Sequence, residues 1–376
     1  MKFVDEIDVK DKKVILRCDL NVPIEDGIIS DDSRIKKSLK TINYLLDNNC
    51  SIILMSHLGR VKVEEDKAKC SLRPVADRLS ELLEKEIDFA DNPVGMDVIR
   101  KVNNLQNGDI LLLENTRYCD FPEKLESSNN ANLAEYWSTL GDLFVCDAFG
   151  ALHRAHASVC GISDYLPTVF GLLVKEEVNN LLPLIENTKK PFGVFMGGAK
   201  IDDKLKYIKD LLERCDYLLI GGGIANAFLY AIGYDIGDSI CTNDELTLEE
   251  VRNIYEKYKE KIILPIDFVI EENKILDLGE KTIEKYLKYF EKCQTIFING
   301  TPGKFEEDDY AKGTIKLLKG LKDINAYKVA GGGDTINAIK KFAASDSFDY
   351  LSSGGGASLE YISSTHLEAI DYISNK

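Results

Sequence analysis

Phe192-Gly193-Val194-Phe195-Met196-Gly197-Gly198-Ala199-Lys200-Ile201-Asp202-Asp203-Lys204 places a strand, a glycine turn and a helix start in one short stretch. The apolar run Phe192–Met196 predicts a buried strand. From Lys204 to Arg214, the apolar residues Leu205, Ile208, Leu211 and Leu212 recur at helical spacing. A strand, two glycines and a helix start form a place where backbone N–H groups face an anion. Lys200 and Lys204 stand four apart, and on a helix they would share a face. Two ammonium groups so placed repel unless an anion or water intervenes. The octapeptide 197–204 fits a phosphoryl-transfer site, but taken alone it favours a solvated turn with two ordinary lysines.

Working outward, short apolar runs alternate with amphipathic segments from end to end. Strands are predicted at Val14–Leu20, Ser51–Ser56, Asp109–Leu113, Leu143–Cys146, Tyr217–Ile220, Ile262–Val269, Thr295–Ile298, Tyr327–Val329 and Tyr350–Ser352. Helices are predicted between them, for instance at Ser33–Asp47, Arg73–Lys85, Asn130–Leu140 and Leu246–Lys261. Such alternation predicts the α/β class, with parallel sheets covered by helices. The 376 residues and this many strands exceed one ordinary core. The division is expected at 171–190, a helical segment carrying Leu172, Val174, Val178, Leu181, Leu182 and Ile185 and ending in Lys189-Lys190-Pro191. The expected lobes are then 1–170, joined by the tail 363–376, and 191–362.

Composition narrows the partners. Lys and Arg total 47 against 63 Asp and Glu, a net charge of −16, which argues against nucleic acid and against an anionic membrane surface. A locally basic cleft for a small anion is compatible with that balance. No apolar run reaches the ~20 residues that span a bilayer. The N-terminus, MKFVDEIDVK, has no apolar signal core. Nine cysteines show no CxxC pair or zinc spacing, so free thiols and a reducing, cytoplasmic setting are expected.

The two halves end their strands differently. The first half ends them in charge: Arg17-Cys18-Asp19-Leu20-Asn21, Ser56-His57-Leu58-Gly59-Arg60, Glu114-Asn115-Thr116-Arg117, and Asp147 to His156 with His153 and Arg154. The second half ends them in glycine: Gly197-Gly198, Gly221–Gly223, Gly331–Gly333 and Gly354–Gly356. Three glycine triplets before helices on one sheet favour a nucleotide or phosphate site over ordinary tight turns. No Walker A loop exists, and Ile336 and Leu359 stand where GxGxxG needs its last glycine. Asp334 reads as a helix N-cap, a Mg²⁺ ligand, or both. Arg34, Arg60, Arg117 and Arg154 form a candidate basic patch, since guanidinium N–H donors match carboxylate and phosphate oxygens. No GxSxG elbow or HExxH zinc motif is present. An anionic small molecule on the first half and a nucleotide on the second would have to meet, which implies hinge closure.

At these residues the chain resembles the phosphoglycerate kinases. The likeness is carried by RCDLNVP (17–23), SHLGR (56–60), LLLENTRY (111–118), DAFGALHRAHAS (147–158), GGAKIDDK (197–204), GGGIANAFL (221–229), LPIDFV (264–269), INGTPGKFE (298–306), VAGGGDT (329–335) and SSGGGASLE (352–360). The resemblance implies two Rossmann-like lobes joined by a connecting helix and hinge. It implies phosphoryl transfer between 1,3-bisphosphoglycerate and Mg-ADP, giving 3-phosphoglycerate and ATP, by a monomer. Asp19, Asn21, Arg34, His57, Arg60, Arg117 and Arg154 then match the substrate site. Arg34, Lys200, Gly333 and Gly356 match the catalytic set. Gly198, Ala199, Lys200, Lys204, Gly221, Gly222, Leu276, Asn299, Glu306, Gly331, Gly332, Gly333, Asp334 and Thr335 match the nucleotide site, with Asp334 the metal ligand.

The departures from the family pattern are specific. Val61 replaces a proline after SHLGR, and the tryptophan of WNGPxGVFE is missing from Ile298–Glu306. Ile275 stands where a glycine of the base pocket is usual, and the tail Ser364–Ala369 lacks LPG. Two alternatives follow from them. One is a paralogue with another acyl phosphate or nucleotide, and the other is a nucleotide-binding homologue without catalysis.

Overall fold

Val14, Ile15 and Leu16 are wholly buried, as a strand covered on both faces requires. The computed structural model describes residues 1–376. It divides into two units, Met1–Val178 with His366–Lys376, and Asn179–Thr365. In the first unit the strands are β1 (Lys13–Cys18), β2 (Ile24–Glu25), β3 (Ile28–Ile29), β4 (Ser51–Met55), β5 (Asp88–Ala90), β6 (Ile110–Leu113), β7 (Leu143–Asp147) and β8 (Thr168–Phe170). Six of them form a parallel sheet in the order β5-β6-β4-β1-β7-β8, with Val14 beside both Ile52 and Leu143. The pair β2 and β3 is a separate small hairpin.

The second unit continues with β9 (Phe192–Met196), β10 (Tyr217–Ile220), β11 (Ile262–Ile263), β12 (Phe268–Glu271), β13 (Lys274–Leu278), β14 (Thr295–Asn299), β15 (Tyr327–Gly331) and β16 (Tyr350–Leu351). Its parallel sheet runs β11-β10-β9-β14-β15-β16. Each sheet is thus Rossmann-like: in the second the chain winds outward one way, returns to the centre and winds the other way, and the first does the same except that β6 inserts between β4 and the edge strand β5. The reversal falls between β1 and β7 in one unit and between β9 and β14 in the other. Ligands in such sheets bind beyond the carboxyl ends of the strands at that reversal.

The helices follow from their apolar stripes. Leu205–Arg214 buries Leu205, Ile208, Leu211 and Leu212. Each buried side chain of this size contributes about 1.5–3 kcal/mol. A polar residue at Ile208, which is wholly buried, would forfeit that share and break the stripe.

Three expectations are corrected. The segment 171–190 is α-helical only over Leu172–Leu181, followed by one 3-10 turn, Leu182–Leu184. Pro183 supplies no N–H, and its ring clashes with the carbonyl four residues back, so the α-helix ends before it. The change of unit falls within this helix, after Val178. The strand expected over 262–269 splits, because Leu264-Pro265 interrupts it and Phe268–Glu271 turns away into an antiparallel hairpin with Lys274–Leu278. Finally, the helix after β9 begins at Leu205, so Lys200 lies in the loop and shares no helix face with Lys204.

Each unit also buries one carboxyl that holds a helix start. Asp147, at the end of β7, accepts from the N–H groups of Leu173 (2.9 Å) and Val174 (3.0 Å) and from Thr41 Oγ1 (2.5 Å). Burial pushes it up to about 7, against the pull of these donors. Asp277, in β13, accepts from Gly313 N–H at 2.7 Å and is pushed up to about 6, again by burial.

Candidate functional site

In the first unit, every expected substrate residue except Arg34 follows a strand at its carboxyl end. Asp19 and Asn21 follow β1, His57 and Arg60 follow β4, Arg117 follows β6, and Arg154 follows β7. Arg34 enters from the first turn of the helix Ser33–Asp47 and donates from Nη1 to Asp19 Oδ2 at 2.6 Å. Burial alone would raise the Asp19 carboxyl, but Arg34, His57 and Arg17 outweigh it and hold the group below its usual value. Asn21 Oδ1 accepts from Gly59 N–H at 3.0 Å, which ties the β1 loop to the loop bearing Arg60.

Arg117 is nearly buried, and its Nε has no hydrogen-bond partner. Its nearest carboxylate, Asp120, stands 3.7 Å from Nη1. Burial lowers the Arg117 pKa, with Arg154 adding repulsion. A buried guanidinium with an unused donor is costly unless an anion takes it. Arg60 and Arg154 are exposed. Burial, with the Arg17, Arg117 and Arg34 charges, pushes His57 down to about 3. His156 is likewise pushed to about 3, by burial and then by Arg117 and Arg17. Both rings are neutral at physiological pH, so the positive charge of this cluster is carried by its arginines.

Three residues of this unit that sequence reasoning passed over hold the cluster. Asn115 accepts on Oδ1 from Leu58 N–H (3.1 Å) and Arg117 N–H (3.0 Å), and donates from Nδ2 to Leu58 O (2.7 Å) and Cys70 O (2.8 Å). Arg17 is only 1% exposed and lies 3.0 Å, through Nη2, from His57 Nδ1. Glu126 accepts from Ser158 N–H (2.9 Å) and Ser158 Oγ (2.5 Å). The polar run 114–117 and the arginine inside the apolar strand 14–18 were the available signals. Glu126 lies in a loop with no pattern to mark it.

In the second unit the loops after β9, β10 and β14 meet backbone to backbone. Gly300 has φ +87°, and a Cβ there would fall 2.2 Å from Gly197 O. A Cβ on Gly223 would fall 2.0 Å from Ala199 O. Only glycine permits such contacts. Beside this floor lies a cavity of about 330 Å³. Among its lining residues are Gly198, Ala199, Gly222, Leu276, Glu306 and Asp334, all expected nucleotide residues, together with Ile240 and Ile275. Gly221, Lys200, Asn299 and Gly331–Gly333 do not line it, nor do Lys204, Thr335 and Gly356.

Several of those residues meet where β9 and β14 end. Lys204 Nζ donates to Gly197 O at 2.8 Å and to Asn299 Oδ1 at 2.7 Å. Asn299 Nδ2 donates to Gly331 O at 2.8 Å, so both ends of this amide serve the protein. Burial pushes Lys204 down to about 8, against the attraction of Asp334 and Asp203. Thr335 is wholly buried, and its Oγ1 accepts from Gly300 N–H at 2.7 Å, fixing the floor. Lys200 is exposed. Gly333 and Gly356 each open a helix and face open space where a Cβ would stand.

Asp334 is not an N-cap. Gly332 occupies the cap position, and Asp334 is exposed in the first turn of the helix Gly333–Lys341. There the helix dipole favours its negative charge. No group of three or more His, Cys, Asp or Glu is placed to hold a metal ion.

Two parallel Rossmann-like sheets, one edged with arginines and the other with a glycine floor, define a phosphotransferase. The family model for phosphoglycerate kinase matches residues 4–365. The chain is 42% identical over 395 residues to a phosphoglycerate kinase of Macrococcus caseolyticus, covering all of this chain and 99% of that one. It is 42% identical over 396 residues to one of Enterococcus faecalis, with the same coverage. The structure of phosphoglycerate kinase from Coxiella burnetii superposes with a TM-score of 0.86 at 33% identity, covering 99% of this chain and 98% of that one. That from Pyrococcus horikoshii gives 0.87 at 28% identity, with 100% and 98% covered. This chain belongs to the phosphoglycerate kinase family.

Proposed function

We propose that this protein transfers a phosphoryl group reversibly between 1,3-bisphosphoglycerate and ADP, giving 3-phosphoglycerate and ATP, as a step of glycolysis. The observation that carries the reading is the donor set of the first unit: Arg117 keeps a buried, unused Nε–H, and Arg60 and Arg154 stand exposed beyond the same sheet. The first unit is assigned to the phosphoglycerate, held by Arg34, Arg60, Arg117 and Arg154 with Asp19, Asn21 and His57. The second is assigned to the nucleotide, with the base in the cavity beside Leu276 and Ile275 and the phosphates near Lys204.

The accepting carboxylate of 3-phosphoglycerate is already ionised, so no general base is needed. Catalysis is positioning and charge neutralisation. Arg34 neutralises the carboxylate, and Lys200, free in its loop, follows the moving phosphoryl group. Lys204 stays on the nucleotide phosphates, whose charge offsets the burial that lowers its pKa. The helix starts at Gly333 and Gly356 aim N–H groups at the developing charge.

Asp334 supplies one exposed carboxylate at a helix start, and no cluster of three or more His, Cys, Asp or Glu surrounds it. That fits Mg²⁺ arriving with nucleotide phosphates and keeping several waters, and not a cage made by protein alone. When bound, the ion would neutralise phosphate charge. The two ligands are assigned to different units, so transfer requires a closing movement. A reducing cytoplasm is supported by nine free cysteines, and the proposed working form is a monomer.

The test is a coupled assay of ATP formation from 1,3-bisphosphoglycerate and ADP with Mg²⁺. Turnover at ordinary enzyme rates, on the order of 1–10³ s⁻¹, is expected. Nucleotide binding without any transfer would overturn the reading in favour of a non-catalytic homologue.

A further inference from the structure

Arg17 lies inside β1, where a charged side chain is least expected, and is almost fully buried. Its guanidinium is used on three sides. Nε donates to Ser158 Oγ at 3.0 Å, Nη1 donates to Cys18 O, and Nη2 faces His57 Nδ1 at 3.0 Å. Ser158 Oγ in turn donates to Glu126 Oε1. The relay therefore has a fixed direction: guanidinium to hydroxyl to carboxylate. Burial pushes Glu126 up, with the Arg17 charge opposing that rise.

A guanidinium carries donors only. The His57 nitrogen facing it must then be the acceptor, with its lone pair toward Nη2. The single ring proton is left on Nε2. We propose that Arg17 is a positioning residue that locks His57 as the Nε2–H tautomer, so that the imidazole presents a neutral hydrogen-bond donor to the bound anion. A free histidine ring exchanges its tautomers and protonates near pH 6.5. At this site the Nδ1–H form would set two donors against each other, and the doubly protonated form would add a cation to a cluster that already holds Arg17, Arg34 and Arg117. Asp19 is the one facing carboxylate, and it is already engaged by Arg34. The lock thus works at constant charge, through the direction of one hydrogen bond.

The role at the anion rests on the phosphoglycerate reading, whereas the tautomer does not. The experiment is ¹H–¹⁵N correlation through the two-bond couplings of the imidazole rings, on full-length ¹⁵N-labelled protein without ligand. The His57 signal is assigned by its loss in His57→Gln. An unprotonated Nδ1 and a protonated Nε2, unchanged from pH 5.5 to 8, are expected. A protonated Nδ1, or a ring titrating near 6.5, would overturn the proposal whatever the enzyme's activity. Arg17→Met is the second arm. It should give mixed tautomers and a roughly tenfold higher KM for 3-phosphoglycerate, with KM for ATP within twofold. If Arg17→Met does not fold, the wild-type spectrum alone decides. A locked tautomer in a protein without phosphoglycerate turnover would retain the lock and reject the functional reading.

Discussion

Both sheets have six parallel strands and reverse at their centre, yet as proposed they prepare for an anion by opposite means. The first unit stores full charges and holds them with other full charges: Arg34 on Asp19, Arg17 through Ser158 to Glu126. The second stores almost none. It has a floor of glycine backbone, the exposed carboxylates Glu306 and Asp334, and a lysine that burial has brought to about 8. One site is held by paired charges, and the other depends on a lysine that loses its charge as pH rises through about 8. Paired charges keep their state over a wide pH range, whereas a half-desolvated lysine does not.

The largest expected effect separates the two cationic residues proposed to act on the transferred group. Lys200→Ala should lower kcat by about 10²-fold or more, the usual cost of removing a donor to transition-state charge, with the ADP dissociation constant changed less than twofold. Arg34→Ala should cost a similar factor in kcat and also weaken 3-phosphoglycerate binding, because it strips Asp19 of its 2.6 Å partner and leaves a buried carboxylate beside the substrate. Stopped-flow rates with calorimetric binding would show this. If both variants alter only kcat, the contrast between the two sites fails.

Next in size is pH. Lys204 is charged below about 8 and neutral above it. Nucleotide affinity, which favours the charged form, should fall about tenfold between pH 7 and 9, with proton uptake on binding. His57 and His156 stay neutral throughout, since their folded values lie near 3. The affinity for 3-phosphoglycerate should hold within about twofold over the same range. Calorimetry in buffers of different ionisation heat measures both. Equal pH slopes would place the desolvated group elsewhere.

The smallest effect sharpens the second unit. Ile275 lines the cavity. Ile275→Gly should change the ADP dissociation constant by a few-fold, in line with ~1–3 kcal/mol for a modest apolar change in a pocket. The rate constant for transfer should not move.

Both sheets were legible because a buried parallel strand is written as a continuous apolar run. Phe192–Met196 and Tyr217–Ile220 match their strands residue for residue. The short strands Asp88–Ala90 and Thr168–Phe170 were not legible, since three residues carry no period. The charged candidates were legible from their place after strands. Their partners were not: the tie between Asn299 and Lys204 spans residues far apart in sequence and follows from the meeting of β9 and β14. The helix expected at 171–190 failed on one residue, Pro183, whose effect on a helix end is local and was readable.

The glycine floor has a consequence for how this enzyme can diverge. Gly223 and Gly300 abut other loops through backbone atoms, so no single side chain can be added there without moving a neighbouring loop. Ile240, Ile275 and Glu306 border the same cavity with side chains and can each change alone. On the proposed assignment of phosphates to the floor and base to the cavity, grip on the one and choice of the other are inherited separately. Mutational drift can retune the base one residue at a time, while the phosphate floor changes only by concerted steps that selection rarely supplies.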